Sequence, residues 1–187
     1  TSWGSQGTLT SGQSGYDGTT DAWLFTYTSD PSIAYVSNTN SGVQTLSLYA
    51  KGNANNGLRM YSFGSLNCQA YFDLNTGSVE NTNNIINAAI EDKGDGWYRC
   101  IMTFNQTNSN INFFLSNNAN LNATSGNIYI QDVMLNQGLV AYPYVETTTA
   151  PVAGGILEDM PRIDYSSGKP SLLLEPSRTN LIPYSEY

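Results

Sequence analysis

The sequence predicts an all-β fold, a two-layer antiparallel β-sandwich, on three observations. Short segments alternate apolar and polar residues with period two, the pattern of strands with one buried face. Gly, Asn, Asp and Ser clusters separate those segments at the spacing usual for sandwiches and barrels. Only 12% of the 187 residues are charged, whereas long amphipathic helices draw on Glu, Lys, Ala and Leu. A chain of this length can build one sizeable core, and two packed sheets are the economical way to do so.

The clearest strand follows the turn signal Asp95-Gly96. Tyr98, Cys100, Met102 and Phe104 fall on one parity and face a core, while Trp97, Arg99, Ile101 and Thr103 form a mixed face. The other strands are laid around it. In chain order, residues 11–18 read as a loop on glycine content. Residues 22–28 form a strand that stops before Asp30-Pro31, and 33–36 a shorter one. Residues 46–51 place Leu46, Leu48 and Ala50 inward, and a turn through 53–57 leads into the strand 58–63. Residues 70–74 and 78–79 make a hairpin around Asn75-Thr76-Gly77. Residues 85–91 lead through the loop 92–96 into the strand already described, and 111–115 and 127–135 complete a set of about ten strands. Cys68 and Cys100 both lie on core parities. They read as buried free thiols, with a disulfide between adjacent strands as the alternative.

The texture changes after Leu135. Residues 1–140 are assigned to the sandwich, and 141–187 to an extended strap with a C-terminal hairpin that packs on the sandwich or on a neighbouring subunit. The strap is proline-punctuated and hydroxyl-rich, and residues 159–165 and 171–176 flank a turn at Ser167-Gly168-Lys169-Pro170.

Composition excludes several functions. A net charge of −8 opposes a nucleic-acid partner, which requires clustered Lys and Arg. No run approaches the roughly 20 apolar residues of a membrane span, so no membrane insertion is expected. The first residues carry no signal-peptide pattern and do not begin with Met, as expected of a processed or excised segment. Histidine is absent, which removes the commonest general base and leaves two thiols too few for a zinc site. The acidic groups Glu91, Asp92 and Asp95, and Glu158 with Asp159, carry no glycosidase pattern. No enzymatic activity is expected.

Two kinds of binding site remain. Tyr49, Tyr61 and Tyr71 lie on the parity opposite the core residues, so their rings are expected on an exposed sheet face where pyranose rings stack. Packing under a loop or against another subunit is the alternative. Trp23 and Trp97 are expected in the core or at its edge. Asp92 and Asp95 are the candidate ligands for calcium, the one cofactor considered, because acidic turns offer oxygen donors. The sequons at Asn105 and Asn122 are weak signals in an Asn-rich chain.

Several short motifs then line up. They are Ser14-Gly15-Tyr16-Asp17-Gly18 with Trp23, Leu48-Tyr49-Ala50-Lys51, Phe72-Asp73-Leu74 with Thr76-Gly77, Gly96-Trp97-Tyr98-Arg99 and 131–135. Pro161-Arg162 with Asp164-Tyr165, Leu173-Leu174-Glu175 and Ser177-Arg178-Thr179-Asn180-Leu181 follow. In this order they resemble a module of tail-fibre and other virion proteins of bacteriophages, related to carbohydrate-binding jelly rolls. The resemblance implies a non-enzymatic virion structural protein, a tail-fibre module or capsid decoration, located on the particle surface and extracellular after release. It implies as partners other virion proteins or copies of the chain as a homotrimer, and a host-surface glycan. A dedicated lectin-like module of a receptor-binding or secreted glycan-active protein is the competing expectation. In such modules a segment like 178–187 looks as though it precedes one like Thr1-Ser2-Trp3, yet here it closes the chain. It packs either in cis, as in a permuted module, or in trans by strand exchange, with Arg162, Arg178, Asn180 and Tyr184 as the expected assembly residues.

Overall fold

The computed structural model of the chain describes residues 4–5, 7–27, 34–37, 39–117, 121–122, 125–147, 162–164 and 171–173. These residues contain fifteen strands and no helix. In order they are β1 (Gly4–Ser5), β2 (Thr8–Gln13), β3 (Ala22–Tyr27), β4 (Ala34–Ser37) and β5 (Val43–Gly52). Then come β6 (Gly57–Gly64), β7 (Cys68–Asp73), β8 (Ser78–Asn83), β9 (Asn87–Gly94) and β10 (Trp97–Asn105). The set ends with β11 (Asn108–Asn117), β12 (Leu121–Asn122), β13 (Gly126–Gln137), β14 (Arg162–Asp164) and β15 (Ser171–Leu173).

Two antiparallel sheets make a β-sandwich. The first runs β1-β4-β11-β6-β7-β8, with β12 on β11, and the second runs β2-β3-β13-β5-β10-β9. The turn before β10 has positive φ at both Asp95 (52°) and Gly96 (80°), the backbone that joins twisted antiparallel strands tightly. It places Cys100 opposite Leu48 of β5 and Ile90 of β9. One hydrophobic cluster draws Phe25, Leu46, Leu48, Met102, Phe104 and Ile128 from the second sheet. From the first it takes Leu58, Met60, Phe72, Ile111, Phe113 and Leu115. Period-two alternation on both sheets is thus satisfied by a single shared layer. At Gly57 the sheet leaves no room for a side chain: a Cβ there would lie 2.1 Å from the carbonyl oxygen of Ser116 on β11.

Both cysteines are buried and free. They occupy different sheets, Cys68 on β7 and Cys100 on β10, not neighbouring strands. Burial pushes the Cys68 thiol up to about 11 and that of Cys100 higher still.

Three features depart from the sequence reading. Part of the loop expected at 11–18 is the end of β2, where a register shift between Thr10 and Gln13 accommodates Gly12 at φ +78°. Trp23 has the inward parity of Phe25 but stands near the start of its strand and is 43% exposed. The chain divides into two units at Thr1–Ala150 and Pro151–Tyr187, ten residues beyond the expected boundary of 140. The reason is local. Asn136 Nδ2 donates to the Val140 carbonyl, its Oδ1 accepts from Tyr142 N, and Arg99 donates to the Tyr142 carbonyl, so the first part of the strap belongs to the sandwich. The second unit contains the expected hairpin, with Arg162 of β14 paired to Leu173 of β15.

Candidate functional site

The centre of the first sheet is β11-β6-β7-β8. Residues of these strands that do not face the core stand in two cross-strand rows on its outer face. Register aligns Asn112, Tyr61, Gln69 and Asn83 in one row, and Phe114, Arg59, Tyr71 and Asn81 in the next. Phe63, two residues beyond Tyr61, is 49% exposed at the margin. Tyr61 and Phe114 are half-buried, and Tyr71 is 6% exposed. Rings, carboxamides and one guanidinium therefore share a surface made of strands, whose backbones cannot move independently.

Arg59 is the centre of this face. Its guanidinium carbon lies 4.5 Å from the Tyr61 ring centroid, 4.6 Å from that of Phe114 and 5.4 Å from that of Tyr71. Arg59 Nε donates to Gln69 Oε1 at 3.0 Å, and Nη2 donates to the same oxygen. Ring faces carry negative quadrupole density, so three of them hold the cation in place. Burial lowers the Arg59 pKa and raises that of Tyr61, although an arginine stays charged at neutral pH. Asn112 Oδ1 is buried and has no hydrogen-bond partner among the described residues.

The three tyrosines singled out from sequence do not share one face. Tyr61 and Tyr71 lie on the first sheet, but Tyr49 lies on the outer face of the second. There it is only 9% exposed, because Tyr16 stacks on it with ring centroids 3.6 Å apart and planes within 3°. Trp97 and Tyr129 complete that cluster. Parity tells which face a ring occupies, not what covers the face. Arg59, Gln69, Asn112 and Phe114 are not among the residues that the sequence singles out. The run Arg59-Tyr61-Phe63 has a single parity, and Phe113-Phe114 can place only one ring in the core, so part of the signal was present.

The cover over Tyr49 is held by one buried amide. Gln131 Oε1 accepts from Tyr16 N at 2.9 Å, and its Nε2 donates to Asp21 Oδ1 at 2.6 Å and to Asp17 Oδ1 at 3.2 Å. Thr19 Oγ1 bridges the two carboxylates. Next to Gln131, Asp132 sits at φ +53° where the register of β13 on β5 shifts, and it accepts a hydrogen bond from the Tyr16 hydroxyl. Burial of that hydroxyl, with the adjoining Tyr49 and Asp132, raises its pKa steeply. Burial also raises the Asp132 carboxyl, and the charges of Asp21, Asp17 and Glu146 raise it further against the Tyr16 bond. Asp17 moves the other way, held low by the Thr19 hydroxyl and amide.

These shifts predict a pH-dependent variant. A carboxyl whose folded pKa exceeds its unfolded value costs stability at neutral pH, and the cost fades as pH falls toward about 4. Asp17 contributes with the opposite sign: its stabilisation is present at neutral pH and is lost in acid. Asp132→Asn keeps the acceptor for Tyr16 and suits a positive φ. It is expected to stabilise by about 0.5 kcal/mol at pH 7, the scale of a partly solvated charge interaction. The gain should shrink toward pH 4, read from melting curves of both proteins, and an equal gain at both pH values would reject the charge account.

Of the calcium candidates, Asp92 lies near the end of β9, paired with Tyr98 of β10, and Asp95 in the turn that follows, so the loop expected at 92–96 is strand as far as Gly94. Asp92 Oδ1 accepts from Gly94 N at 2.8 Å, and both Asp92 and Asp95 are exposed. Among the described residues no group of three or more His, Cys, Asp or Glu is arranged to hold a metal ion. Arg178, Asn180 and Tyr184 lie outside the described residues, and of Arg162 the backbone pairing in β14 is described.

Fold and site together define a β-sandwich with an aromatic and amide-lined outer face. Comparison of the sequence with protein-family models and with curated proteins gives no match.

Proposed function

We propose that the chain is a non-enzymatic glycan-binding module of a bacteriophage virion, carried on a tail fibre or the capsid surface. The observation that carries the binding role is the outer face of the first sheet. There Tyr61, Phe63 and Phe114 offer ring surface beside the carboxamides of Gln69, Asn83 and Asn112. Rings take the apolar faces of pyranoses, and amides exchange donor and acceptor bonds with their hydroxyls. The virion setting rests on the ordered motifs that resemble phage fibre modules.

A glycan microarray followed by calorimetry on the full chain tests this reading. Tyr61→Ala and Phe114→Ala are each expected to weaken binding by about five- to tenfold, the value of one ring contact. Tyr49→Ala should leave affinity unchanged, since its ring lies on the other sheet. Failure to bind any saccharide would end the proposal.

A structural role beside binding is favoured by one further feature. Leu139 and Val140 are each 65% exposed, and Tyr142 and Tyr144 are 52% and 38% exposed, in the segment that leads toward the second unit. Assembly through this part of the chain predicts a homotrimer of the full chain in light scattering, and a monomer at all concentrations would count against it.

A further inference from the structure

The segment that covers Tyr49 leaves part of the next cross-strand row of the second sheet open, where register aligns Leu24, Tyr129, Lys51 and Trp97. A cleft of about 350 Å³ lies there, lined by Gln13, Ser14, Lys51, Gly52, Asn53 and Tyr129. We propose that this cleft is a second binding site, for a hydroxylated monocarboxylate of the hexuronic-acid class, with Lys51 as the partner of its carboxylate. It lies on the other sheet from the glycan face and does not depend on it.

Three observations support it. The first is charge. Among the residues whose side chains are described, Lys93 pairs with Glu91, Arg59 donates to Gln69 and Arg99 donates to the Tyr142 carbonyl. Lys51 alone has no ion pair or hydrogen bond with a described residue, and Asp95 in the adjoining turn does not claim it. In a chain of net charge −8, an unclaimed ammonium beside a concave surface is the feature that draws an anion. One ammonium matches one carboxylate, whereas a phosphate dianion draws on several charged donors. The second is rigidity. Ala54 N donates to Asn127 Oδ1 at 3.0 Å and Asn55 N to the Asn127 carbonyl at 3.1 Å, which ties the Asn53 rim to β13. The opposite rim is held where Tyr16 N donates to Gln131. Tyr129 leans on the buried Trp97, with ring centroids 6.3 Å apart. The stem of Lys51 runs along Gly96, where a Cβ would meet its Cε at 3.6 Å. A cleft built in advance loses little entropy on binding. The third is the lining. The Tyr129 ring takes the apolar face of a sugar ring, and the carboxamides of Gln13 and Asn53 with the Ser14 hydroxyl take its hydroxyls. The side chains of Ser14 and Asn53 bond to no described residue, so these groups are at hand for a ligand.

Amide NMR titrations of the full chain test the site with sodium glucuronate, with glucose as its uncharged match, and with acetate as the carboxylate without the ring. Glucuronate is expected to shift the amides of Ser14, Gly52, Asn53 and Tyr129. It should bind about fivefold more tightly than glucose, the scale of a partly solvated ion pair, and more tightly than acetate. Raising NaCl from about 0.05 to 0.5 M should close most of that gap, as the ion pair is screened. Lys51→Met is expected to bring glucuronate and glucose to equal affinity, and Lys51→Arg to keep the preference. Should Lys51→Met fail to fold, the ratio and its salt dependence in the unmodified protein decide the matter without it. No shift of these amides at about 50 mM glucuronate would overturn the site, as would shifts confined to β6 and β11. Equal binding of glucuronate and glucose, insensitive to salt, would overturn the role of Lys51. Because the two sites lie on different sheets, the amides that move tell failure of the cleft from failure of the glycan face.

Discussion

Phe72→Ala is expected to cost about 3–5 kcal/mol of unfolding free energy, the range for deleting a fully buried aromatic side chain. Phe72 is 1% exposed and sits on β7 between Leu58 of β6 and Val79 of β8. The ring cannot be replaced by relaxation of its neighbours, because both flanking strands are tied by their own hydrogen-bond ladders. Domains of this size hold about 5–15 kcal/mol in total, so this one change brings the chain close to unfolding. The same residue supports the binding face. Tyr71 and Asp73 flank Phe72 in sequence and point the other way, and Tyr71 is one of the three rings around Arg59. Urea melts should show the midpoint fall with an unchanged slope. Phe63→Ala is the control. Phe63 has similar volume but is 49% exposed, so its loss should cost under about 1 kcal/mol. Equal effects of the two variants would mean that the core is not where the burial places it.

Alternation made the strand faces legible in the sequence. Tyr98, Cys100, Met102 and Phe104 were read as an inward row, and Cys100, Met102 and Phe104 are fully buried with Tyr98 packed against them. The hairpin at Asn75-Thr76-Gly77 and the turn at Asp95-Gly96 were legible because positive φ demands particular residues. Partnership across the chain was not. β6 lies between β7, its neighbour in sequence, and β11, more than forty residues away. Only that second pairing brings Phe114 and Asn112 beside Arg59 and Tyr61. Period-two parity holds the same information for Tyr49 as for Tyr61, yet one is covered and the other half-open. The difference is made by Tyr16, and nothing local to β5 encodes it. The motif at 14–18 and the run at 131–135 stand in the sequence as separate marks of resemblance. Their physical link is an amide reaching over more than a hundred residues of chain.

That link supplies the second large effect. Gln131→Leu is expected to cost about 1–3 kcal/mol and to release the segment 14–21 from the second sheet. Gln131 is 3% exposed and serves Tyr16 N, Asp17, Thr19 and Asp21 together. A leucine fills the space but leaves the Tyr16 amide without its acceptor in a part-buried position. Gly15 shows how closely the amide is approached, since a Cβ there would lie 2.3 Å from Gln131 Oε1. With the segment loose, Tyr16 leaves Tyr49, and the buried Tyr49 ring is opened to water. Chymotrypsin should then cut at Tyr16 while the strands stay protected, and hydrogen exchange at the Tyr16 amide should rise ahead of β5 and β10. Gln131→Glu sharpens the test. It retains an acceptor for Tyr16 N but replaces the donor facing Asp17 and Asp21 with a third carboxylate, beside Asp132. At pH 7 it should be worse than leucine, and near pH 4 the two should converge as the introduced glutamate, placed among like charges, protonates. If both variants resist chymotrypsin like the parent at pH 7, the cover over Tyr49 is held by something other than this amide.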